Sequence, residues 1–425
     1  MRWLITIFVG FVVASVSLAV DWPQWLGPDR DGTTTEIVKP WKGDLKVLWR
    51  TPVGEGHSSP VVADGYVFLH TKVKNEDREQ VDVWSVDDPA RHASASYGRG
   101  KFSSPFGDGP RATALVHNEA VYLFGATGHL VRFDVIKDRT KLELRQVFDD
   151  NTAELFAVAG LKFGVSSSPL LDGDKLIVLT GGKKGSIVAI DAKTGQPIWK
   201  AVEAKTGQPI RKTLDDAASY SSPIITGAGD KQQFICLTQK RLVGLSPKTG
   251  ELFWEFPFQD VLAESSTTPV LIGDLLIASS VTLGSVGLKM FEKDGKPAVE
   301  QAWKNPALTC YFSTPVAVGE QVYMINGSIA GTATLRCVET KTGKVLWSKP
   351  KVGKYHAALL RTGDHKLLML DDSGYLTLIQ PDAEEYKVLA RSKICGETWA
   401  HPAIANGRLF VRDNKELLCI DLGEK

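Results

Sequence analysis

The stretch Ala189-Ile-Asp191-Ala-Lys-Thr-Gly195-Gln-Pro-Ile-Trp199 decides the fold of this chain. Asp191 can accept hydrogen bonds from the backbone of the turn that follows it. Gly195 can supply the positive φ that a tight corner needs, and Trp199 can bury a large apolar ring against a neighbouring unit. The stretch therefore predicts a corner between two strands, the second of which carries a docking tryptophan.

The same corner occurs at two later places in the chain. It is matched in part by Gly244-Leu-Ser246…Gly250…Trp254 and by Cys337-Val-Glu339…Gly343…Trp347. Three copies indicate a repeat rather than an isolated hairpin. We predict structural docking roles for Gly195, Trp199, Gly250, Trp254, Gly343 and Trp347.

A three-residue step that begins with a small residue and ends in proline, followed by an apolar strand, recurs along the chain. Its six clear copies begin at Ser58, Ser167, Ser221, Thr267, Ser313 and Ala400, and two weaker copies begin at Arg111 and His356. Neighbouring copies lie about 42 to 57 residues apart, as expected for four short strands and their turns. No segment keeps a 3.6-residue apolar period, so helix content should be low. The pattern predicts an all-β, eight-bladed β-propeller of four-stranded antiparallel blades.

The two ends of the chain predict how the ring closes. The last copy stops after its third strand, Leu417-Leu-Cys-Ile-Asp421, whereas Lys46-Val-Leu-Trp49-Arg resembles a fourth strand with no blade before it. We therefore expect residues 46–53 to form the outer strand of the last blade, which would protect the open edges. Residues 20–425 would then form one propeller domain, expected to be a monomer.

The first nineteen residues are typical of a signal peptide. Arg2 precedes an apolar run that ends in Ser17-Leu-Ala19, with small residues at the −3 and −1 positions. The run is short for a membrane span, although a retained anchor is the alternative. Cleavage would leave 49 basic and 49 acidic side chains, a balance that disfavours nucleic-acid binding. We expect an exported protein of the periplasm or cell envelope with no transmembrane span after cleavage.

The five cysteines, Cys236, Cys310, Cys337, Cys395 and Cys419, are dispersed and include no CxxC motif. Three of them lie inside apolar strand runs, where a free cysteine acts as a small buried apolar residue. An oxidising compartment would also permit disulfides, whose pairing the sequence leaves open.

A twelve-residue tandem duplication follows the best-preserved corner. Asp191-Ala-Lys-Thr-Gly-Gln-Pro-Ile-Trp-Lys-Ala-Val is followed at once by Glu203-Ala-Lys-Thr-Gly-Gln-Pro-Ile-Arg-Lys-Thr-Leu. Because Arg211 replaces the tryptophan, we expect the second copy to be an extruded loop without a docking role.

Candidate functional residues concentrate on one face of the predicted ring. Segments between blades and turns between the second and third strands share that face. The longest irregular segments are expected at 88–110 and 146–166, and shorter ones at 256–266 and 304–312. Imidazoles, cations and aromatic rings there could bind a polar or anionic ligand, or could only satisfy backbone carbonyls and channel water. The candidates are His57, Arg111, Tyr220, Lys240, Arg241, Tyr311, His356, Trp399 and His401. No metal site is predicted, because the three histidines are expected on blades far apart.

The Ala-x-Asp-x-x-x-Gly-x-x-x-Trp corner resembles the tryptophan-docking repeat of the pyrroloquinoline-quinone-like propellers, and the opening Trp22-Pro-Gln-Trp25-Leu-Gly27-Pro-Asp-Arg-Asp-Gly32 looks like an exported bacterial subgroup. The quinoprotein dehydrogenases of this fold carry the quinone over Ca²⁺, with a catalytic Asp and a disulfide between adjacent cysteines. The propeller subunit of the outer-membrane barrel-assembly machine is lipid-anchored. This chain has neither an adjacent cysteine pair nor a cysteine after the apolar run, so neither family's functional residues can be transferred.

The sequence favours a non-catalytic exported scaffold that binds a protein or a small polar ligand at the loop face, with no cofactor and no catalytic residue. HExxH and Gly-x-Ser-x-Gly motifs are absent from the sequence. One alternative is a quinoprotein dehydrogenase, which would require pyrroloquinoline quinone (PQQ) and calcium. The other is an outer-membrane or envelope assembly factor.

Overall fold

Eight four-stranded antiparallel sheets form the blades of a propeller. The computed structural model describes residues 21–160, 162–203, 212–327 and 331–423. The predicted fold class, including the number of blades and the low helix content, is confirmed. The expected signal peptide and Arg211 lie outside the described residues.

The blades are numbered in chain order, and the strands of each are lettered A to D from the axis outwards. Blades 1 to 4 contain in turn Val61–Ala63, Tyr66–Lys72, Arg78–Ser85 and His92–Gly98; Leu115–His117, Ala120–Phe124, His129–Lys137 and Leu142–Asn151; Leu170–Asp172, Lys175–Gly182, Gly185–Asp191 and Pro197–Lys200; Ile224–Thr226, Gln233–Leu237, Arg241–Leu245 and Leu252–Pro257. Blades 5 to 8 contain Val270–Ile272, Leu275–Ser280, Gly284–Lys293 and Lys296–Asn305; Val316–Val318, Gln321–Asn326, Ala333–Glu339 and Val345–Gly353; Ala357–Arg361, Leu367–Asp371, Tyr375–Gln380 and Lys387–Lys393; Ala403–Ala405, Arg408–Arg412, Glu416–Asp421 and Val47–Pro52.

Three short elements lie outside the blades. The two strands of a short hairpin, Val202–Glu203 and Lys212–Thr213, lie within the duplicated segment. One turn of α-helix spans Thr152–Leu155, and a 3₁₀ turn spans Gly229–Lys231. Within the described ranges no helix has the length and apolarity needed to cross a bilayer.

A tryptophan of one blade docks on the corner glycine of the next. Nε1 of Trp199 donates to Pro247 O of blade 4 at 3.2 Å, and its indole lies against Gly250, whose φ is +69°. Trp303 repeats the arrangement against Gly343. The glycine and tryptophan of the corner motif thus join successive blades, and each has a structural role.

Trp254 departs from this docking pattern. Its Nε1 donates to Gln233 Oε1 of its own blade at 2.6 Å, while its ring packs between blades 4 and 5. Blade 5 offers no short Thr-Gly corner, because its strands C and D, Gly284–Lys293 and Lys296–Asn305, are each ten residues long and form one long hairpin.

The other predicted docking residues lie at their expected interfaces. Nε1 of Trp347 donates to Asp382 O of blade 7 at 2.9 Å. Gly195 lies against Phe148 of blade 2, which takes the place of a tryptophan. Asp191 Oδ1 accepts from the backbone N–H of Lys193 and Thr194, as the corner sequence predicts.

A side-chain hydroxyl before strand A of blades 1, 2, 3, 4 and 6 joins neighbouring blades around the axis. The backbone N–H of one residue donates to the hydroxyl oxygen at the equivalent position of an adjacent blade, so the small-residue step has a structural role. The pairs are Ser59 N to Thr113 Oγ1, Thr113 N to Ser168 Oγ, Ser168 N to Ser222 Oγ, Thr268 N to Thr314 Oγ1 and His401 N to Ser59 Oγ, at 2.9–3.2 Å.

Apolar cores fill the spaces between neighbouring blades. Tyr122 and Phe124 of blade 2 pack with Leu176 and Val178 of blade 3, and each interface buries surface of this kind. All five cysteines are buried in such positions and are unpaired. They therefore act as small apolar side chains, one of the two alternatives that the sequence leaves open.

The ring closes as the two chain ends predict. Val47–Pro52 pairs antiparallel with Glu416–Asp421 and forms the outer strand of blade 8. Nε1 of Trp49 donates to Val86 O of blade 1 at 2.9 Å, the same docking contact that joins other blades.

Two of the predicted irregular segments contain regular strands, and that part of the prediction is wrong. His92–Gly98, inside 88–110, is strand D of blade 1, and its residues alternate in burial. The segment 146–166 likewise begins with the last residues of Leu142–Asn151 and the helical turn Thr152–Leu155. The segments 256–266 and 304–312 also start on strand ends. The true loops on this face are shorter and start later.

The N-terminal segment 21–36 crosses the propeller axis. Its two ends pair with strands A of blades 1 and 7 next to their A–B turns, and Arg30 lies buried between them. The segment therefore covers the channel from the face opposite the interblade loops. Its bonds are Trp22 N to Val62 O, Val116 N to Pro23 O, Trp25 Nε1 to Thr268 Oγ1, Arg30 to the carbonyls of Ser168, Pro169 and Pro223, and Thr34 N to Arg361 O.

Candidate functional site

Two neighbouring cavities open on the loop face. The axial cavity, about 160 Å³, lies over the centre of the ring. The lateral cavity, about 400 Å³, lies where blades 7, 8 and 1 meet. His57, Phe106 and Trp399 line both cavities. A ligand could therefore occupy the two at once.

Aromatic rings surround the axial cavity. The rings belong to loops that precede strands A of different blades. The propeller therefore brings together residues that are far apart in sequence. Ring centroids 3.9–5.7 Å apart connect Tyr220, Phe163, Phe106, Trp399, Phe312 and Tyr311 in that order. Such a collar fits an apolar or planar group, and its rims carry polar atoms.

The floor of the axial cavity is formed by Trp25 and His401. Their ring centroids lie 4.8 Å apart in an edge-on arrangement, and Trp25 belongs to the segment that closes the channel below. The cavity is therefore a blind funnel.

The imidazole of His401 occupies the position that a hydroxyl takes in most other blades. It is buried, and neither ring nitrogen has a hydrogen-bond partner within the described chain. The His356 ring lies 5.4 Å away, with Nδ1 3.0 Å from Ser313 Oγ. Burial lowers the pKa of His356 to about 4 and that of His401 well below its usual value. Both imidazoles are neutral near pH 7.

Tyr311 and Glu264 form the polar side of the funnel. The Tyr311 hydroxyl donates to Glu264, and Lys162 Nζ lies 3.5 Å from the same carboxylate. Burial and this contact raise the pKa of Tyr311, and burial also raises the pKa of Tyr220. Both phenols therefore stay protonated at neutral pH.

His57 stands between the two cavities. Its Nε2 lies 2.6 Å from Phe106 O, and its ring stacks on Trp399 at 5.3 Å. Burial lowers the pKa of His57 to about 4. The neutral ring fixes the loop that carries Phe106 rather than offering a charge.

Arg111 also supports this loop. Its guanidinium donates to Gly107 O at 2.7 Å and to Gly109 O, and burial lowers its pKa to about 10. Its hydrogen bonds thus satisfy backbone carbonyls, one of the two roles considered for the candidate residues.

A buried charged cluster in blade 1 anchors the same loop. Glu79 accepts from Tyr97 at 2.5 Å and from Arg99 at 2.9 Å, and Arg99 also donates to Asp108 O. Burial alone would raise the pKa of Glu79, but hydrogen bonds from His70 and Tyr97 and the Arg99 charge lower it to about 2. The loop beside the funnel is therefore held in place.

Arg412 is the notable side chain of the lateral cavity. Only 2% of the residue is exposed, and its Nε and Nη2 donate to Asp413 O at 3.2 Å and Gly54 O at 3.0 Å. Nη1 has no hydrogen-bond partner among the described residues. Burial lowers the pKa of Arg412 to about 10, so the group remains charged at neutral pH.

Two predicted candidates lie away from both cavities. Arg241 forms ion pairs with Asp216, Glu203 and Glu255, and Lys240 Nζ lies 3.3 Å from Asp216. Hydrogen bonds from Arg241 and Lys240 lower the pKa of Asp216 against the effect of its burial. This network ties blade 4 to the hairpin of the duplicated segment.

The expectation that His57, His356 and His401 lie on distant blades is wrong. They belong to blades 1, 7 and 8, which are neighbours in a closed ring. Even so, no group of three or more His, Cys, Asp or Glu side chains suited to a metal ion occurs in the part of the chain that the structure describes.

Sequence reasoning missed Trp25, Phe106, Phe163, Phe312 and Arg412 as members of the site. Phe163, Phe312 and Phe106 lie in loops before strands A, and that position is the signal that could have identified them. Arg412 ends strand B of blade 8, where a cation on an apolar strand was visible in the sequence.

Comparison with known proteins shows which protein families this chain resembles in sequence. Residues 147–349 match the family described as outer membrane protein assembly factor BamB. The outer membrane protein assembly factor BamB of Shewanella oneidensis is 22% identical over 283 residues, which cover 64% of this chain and 63% of that protein. The chain thus spans less than two thirds of this curated relative. The resemblance to PQQ-like propeller repeats is confirmed.

Solved structures share the fold. The quinohemoprotein alcohol dehydrogenase of Comamonas testosteroni superposes with a TM-score of 0.67 at 14% identity, covering 96% of this chain and 81% of that one. BamB of Moraxella catarrhalis superposes with a TM-score of 0.58 at 14% identity, covering 89% and 100%. An enzyme and an assembly factor share this architecture, so function must be argued from the site.

Proposed function

We propose that this chain is an exported scaffold of the cell envelope that binds a partner protein at its loop face, with no catalytic step of its own. The observation that carries the proposal is the aromatic collar around a blind cavity. Phe106 is 50% exposed at its rim, and exposed aromatic residues around a pocket are typical of binding hot spots. The names of the sequence relatives support a location at the envelope.

The size of the axial cavity suits one side chain of a partner. A cavity of about 150 Å³ accommodates a benzene ring, and the funnel has about 160 Å³. The closed floor and the loop anchored through Arg99 and Glu79 give a preformed site, which limits the entropy lost on binding.

Affinity capture tests this function. Wild-type protein and the Trp399→Ala and Val388→Ala variants are immobilised and exposed to envelope extract, and bound proteins are quantified by mass spectrometry. Val388 is 44% exposed on the outer wall of blade 7 and is the matched control. A partner should be retained by wild type and Val388→Ala and reduced roughly tenfold or more by Trp399→Ala. Equal retention by all three would refute the proposal.

An envelope assembly factor is the second candidate, and the sequence match over residues 147–349 favours it. It differs from a general scaffold in the identity of the captured partner. Recovery of outer-membrane barrel proteins or their assembly machine would support it, whereas a partner unrelated to the envelope would count against it.

The axial cavity offers a poor ligand set for the calcium of the alternative enzymatic function. Ca²⁺ takes six to eight oxygen ligands, whereas Glu264 is the single carboxylate lining the axial cavity in the described chain. That carboxylate is already engaged by Tyr311 and Lys162. The proposed function includes no step through this cofactor. Adding PQQ and Ca²⁺ should leave the protein's thermal stability unchanged and produce no dye reduction with alcohols.

A further inference from the structure

The axial funnel combines aromatic rings with a carboxylate. The rings of the collar and Trp25 line a space of about 160 Å³, and Glu264 lines the same space. The faces of aromatic rings carry a negative potential that attracts cations, and several rings around one space form the kind of cage that recognises alkylammonium groups. The carboxylate adds a full negative charge beside the rings. This combination favours a cationic ligand over a neutral or an anionic one.

Lys162 shows that the mouth of the funnel attracts an ammonium group. Its Nζ lies 4.7 Å from the centroid of the Phe163 ring, which belongs to the collar, and 3.5 Å from Glu264 Oε1. The Lys162 side chain is 72% exposed, so it can move into solvent at little cost. An ammonium of this chain thus already makes the two contacts, ring and carboxylate, that a cationic ligand would make.

Two carboxylates act on the Tyr311 side of the funnel. Burial raises the pKa of Tyr311, and its hydrogen bond to Glu264 and the charge of Asp260 raise it further. The phenol therefore stays neutral and donates to Glu264. Burial would raise the pKa of Asp260, but hydrogen bonds from Ser280 and Thr282 lower it, so Asp260 is ionised at neutral pH. The negative potential on this side is therefore greater than Glu264 alone would give.

Arg111 also lines the funnel and carries the opposite charge. Its guanidinium donates to the carbonyls of Gly107 and Gly109 and lies 5.1 Å from the centroid of Phe102, a ring outside the collar. The charge of Arg111 is thus placed against the loop backbone and Phe102. A cation in the funnel is therefore expected on the side of Tyr311.

The type of ammonium follows from the hydrogen-bonding capacity of the walls. A primary ammonium has three N–H donors, and moving donors out of water without acceptors is costly. Glu264 already accepts from Tyr311, and most of the wall is aromatic. A trimethylammonium group carries its charge without an N–H donor and presents only methyl groups. It is also similar in size to the benzene ring that a cavity of about 150 Å³ holds.

We propose that the axial funnel binds a quaternary ammonium ion, with its methyl groups against the collar and its charge beside Glu264. The ligand would take the place of Lys162 at the carboxylate. The inference goes beyond the proposed function, because this ligand is a small solute rather than a partner protein. The solute and a partner side chain would use the same funnel and so exclude each other.

Calorimetric titration of the wild-type protein at constant ionic strength tests the inference. The probes are choline, its neutral carbon analogue, in which a tert-butyl group replaces trimethylammonium, and ethanolamine, which has a primary ammonium on the same skeleton. Choline should bind roughly tenfold or more tightly than either. Equal binding of choline and the carbon analogue would show a purely apolar pocket, and ethanolamine binding as tightly as choline would contradict the quaternary assignment. Either result would overturn the proposal.

Two substitutions locate the ligand. Lys162→Met should tighten choline binding about threefold or more, because a competing ammonium leaves the mouth of the funnel. Glu264→Gln should weaken it about fivefold or more, because the negative charge beside the ligand is lost. Lys341→Met is the matched control and should leave the affinity unchanged, since Lys341 is an exposed lysine paired with Glu320 on blade 6. Thermal melts verify folding. Unchanged affinity in both funnel variants would overturn the assignment of the site.

The same measurements separate this inference from the proposed function. No choline binding by the wild-type protein, with a partner still captured from envelope extract and lost in Trp399→Ala, would overturn the ammonium site and leave the proposed function intact. Choline binding that responds to Glu264→Gln, with no partner captured, would support the ammonium site and count against the proposed function.

Discussion

The contact between Trp199 and Gly250 shows how a single residue joins two blades. The indole donates to the corner carbonyl of Pro247 and covers Gly250. Glycine serves two needs at this position, because the corner requires a positive φ of +69° and the ring occupies the space of a Cβ. The sequence motif is therefore explained by packing between blades.

Gly250→Ala should destabilise the protein more than Gly273→Ala. Both glycines have positive φ, +69° and +63°, so both substitutions introduce similar backbone strain. Only the first would push a methyl group into an indole, since at Gly273 a Cβ meets no described atom within 4 Å. The difference in free energy of unfolding should be about 1–3 kcal/mol, measured by urea denaturation. Equal losses of stability in the two variants would show that the Trp199 ring can move aside without an energetic cost.

The roles of several residues could not be predicted from one sequence. The Ser59 hydroxyl binds the backbone of His401, which lies at the other end of the chain. Sequence spacing identified the small-residue step but not this partner. Likewise, the sequence identifies His401 as a candidate. That His401 takes the position of a hydroxyl residue in other blades becomes visible only when the eight blades are superposed around the axis.

At the level of elements, the N-terminal segment determines the depth of the site. Trp25 forms the floor of the funnel, and Arg30 fastens the segment to the innermost parts of blades 3 and 4. Arg30 is buried, and burial lowers its pKa to about 9. Its three carbonyl contacts replace the counter-ion that a buried cation usually needs.

Arg30→Met should lower the free energy of unfolding by about 2–4 kcal/mol, because several buried carbonyls lose charged donors. The exposed Arg139→Met is the matched control and should change it little. Thermal and urea unfolding of the two variants would test this. A loss no greater than that of Arg139→Met would mean that the segment is held by Trp22 and the strand contacts instead.

The sequence predicted elements well where apolar runs repeat and poorly where polar strands occur. His92–Gly98 was mistaken for loop because His-Ala-Ser-Ala-Ser-Tyr lacks β-branched residues, although its alternation is that of an outer strand. Tertiary pairing with Arg78–Ser85 overrides that weak propensity. The loop carrying Phe106 is correspondingly shorter than expected.

At the scale of the whole molecule, buried histidines make stability depend on pH. His57 and His356 have pKa values lowered to about 4 by burial, against about 6.5 in an unfolded chain. Between these values the unfolded state binds more protons than the folded state. The free energy of unfolding therefore falls as pH is lowered from about 6.5 towards 4.

His356→Gln should flatten this dependence. Up to about 3 kcal/mol of the loss between pH 7 and pH 4 should disappear, measured by urea denaturation at several pH values. His365 is exposed, and His365→Gln should keep the wild-type slope. The Glu79 cluster acts in a different window, because its pKa of about 2 affects stability only below about pH 4.5. An unchanged slope in His356→Gln would contradict the buried, neutral imidazole.

The number of blades and the closure by Val47–Pro52 were predictable, since both follow from counting repeats and from two incomplete ends. The funnel was not. No common spacing links the three phenylalanines of the funnel, Phe106, Phe163 and Phe312. They come together only because the ring of blades brings their loops to the axis. Convergence on the axis is a property of the assembled ring.

Site-specific photo-crosslinking tests the central claim that the loop face binds a partner protein through the aromatic funnel. A photoreactive phenylalanine analogue is placed at Phe106 on the funnel rim or at Val388 on the outer wall, both exposed apolar positions, and the protein is irradiated in cells. The account predicts a discrete crosslinked partner from position 106 and none from position 388. Crosslinking that is absent at 106, or equal at the two positions, would contradict it.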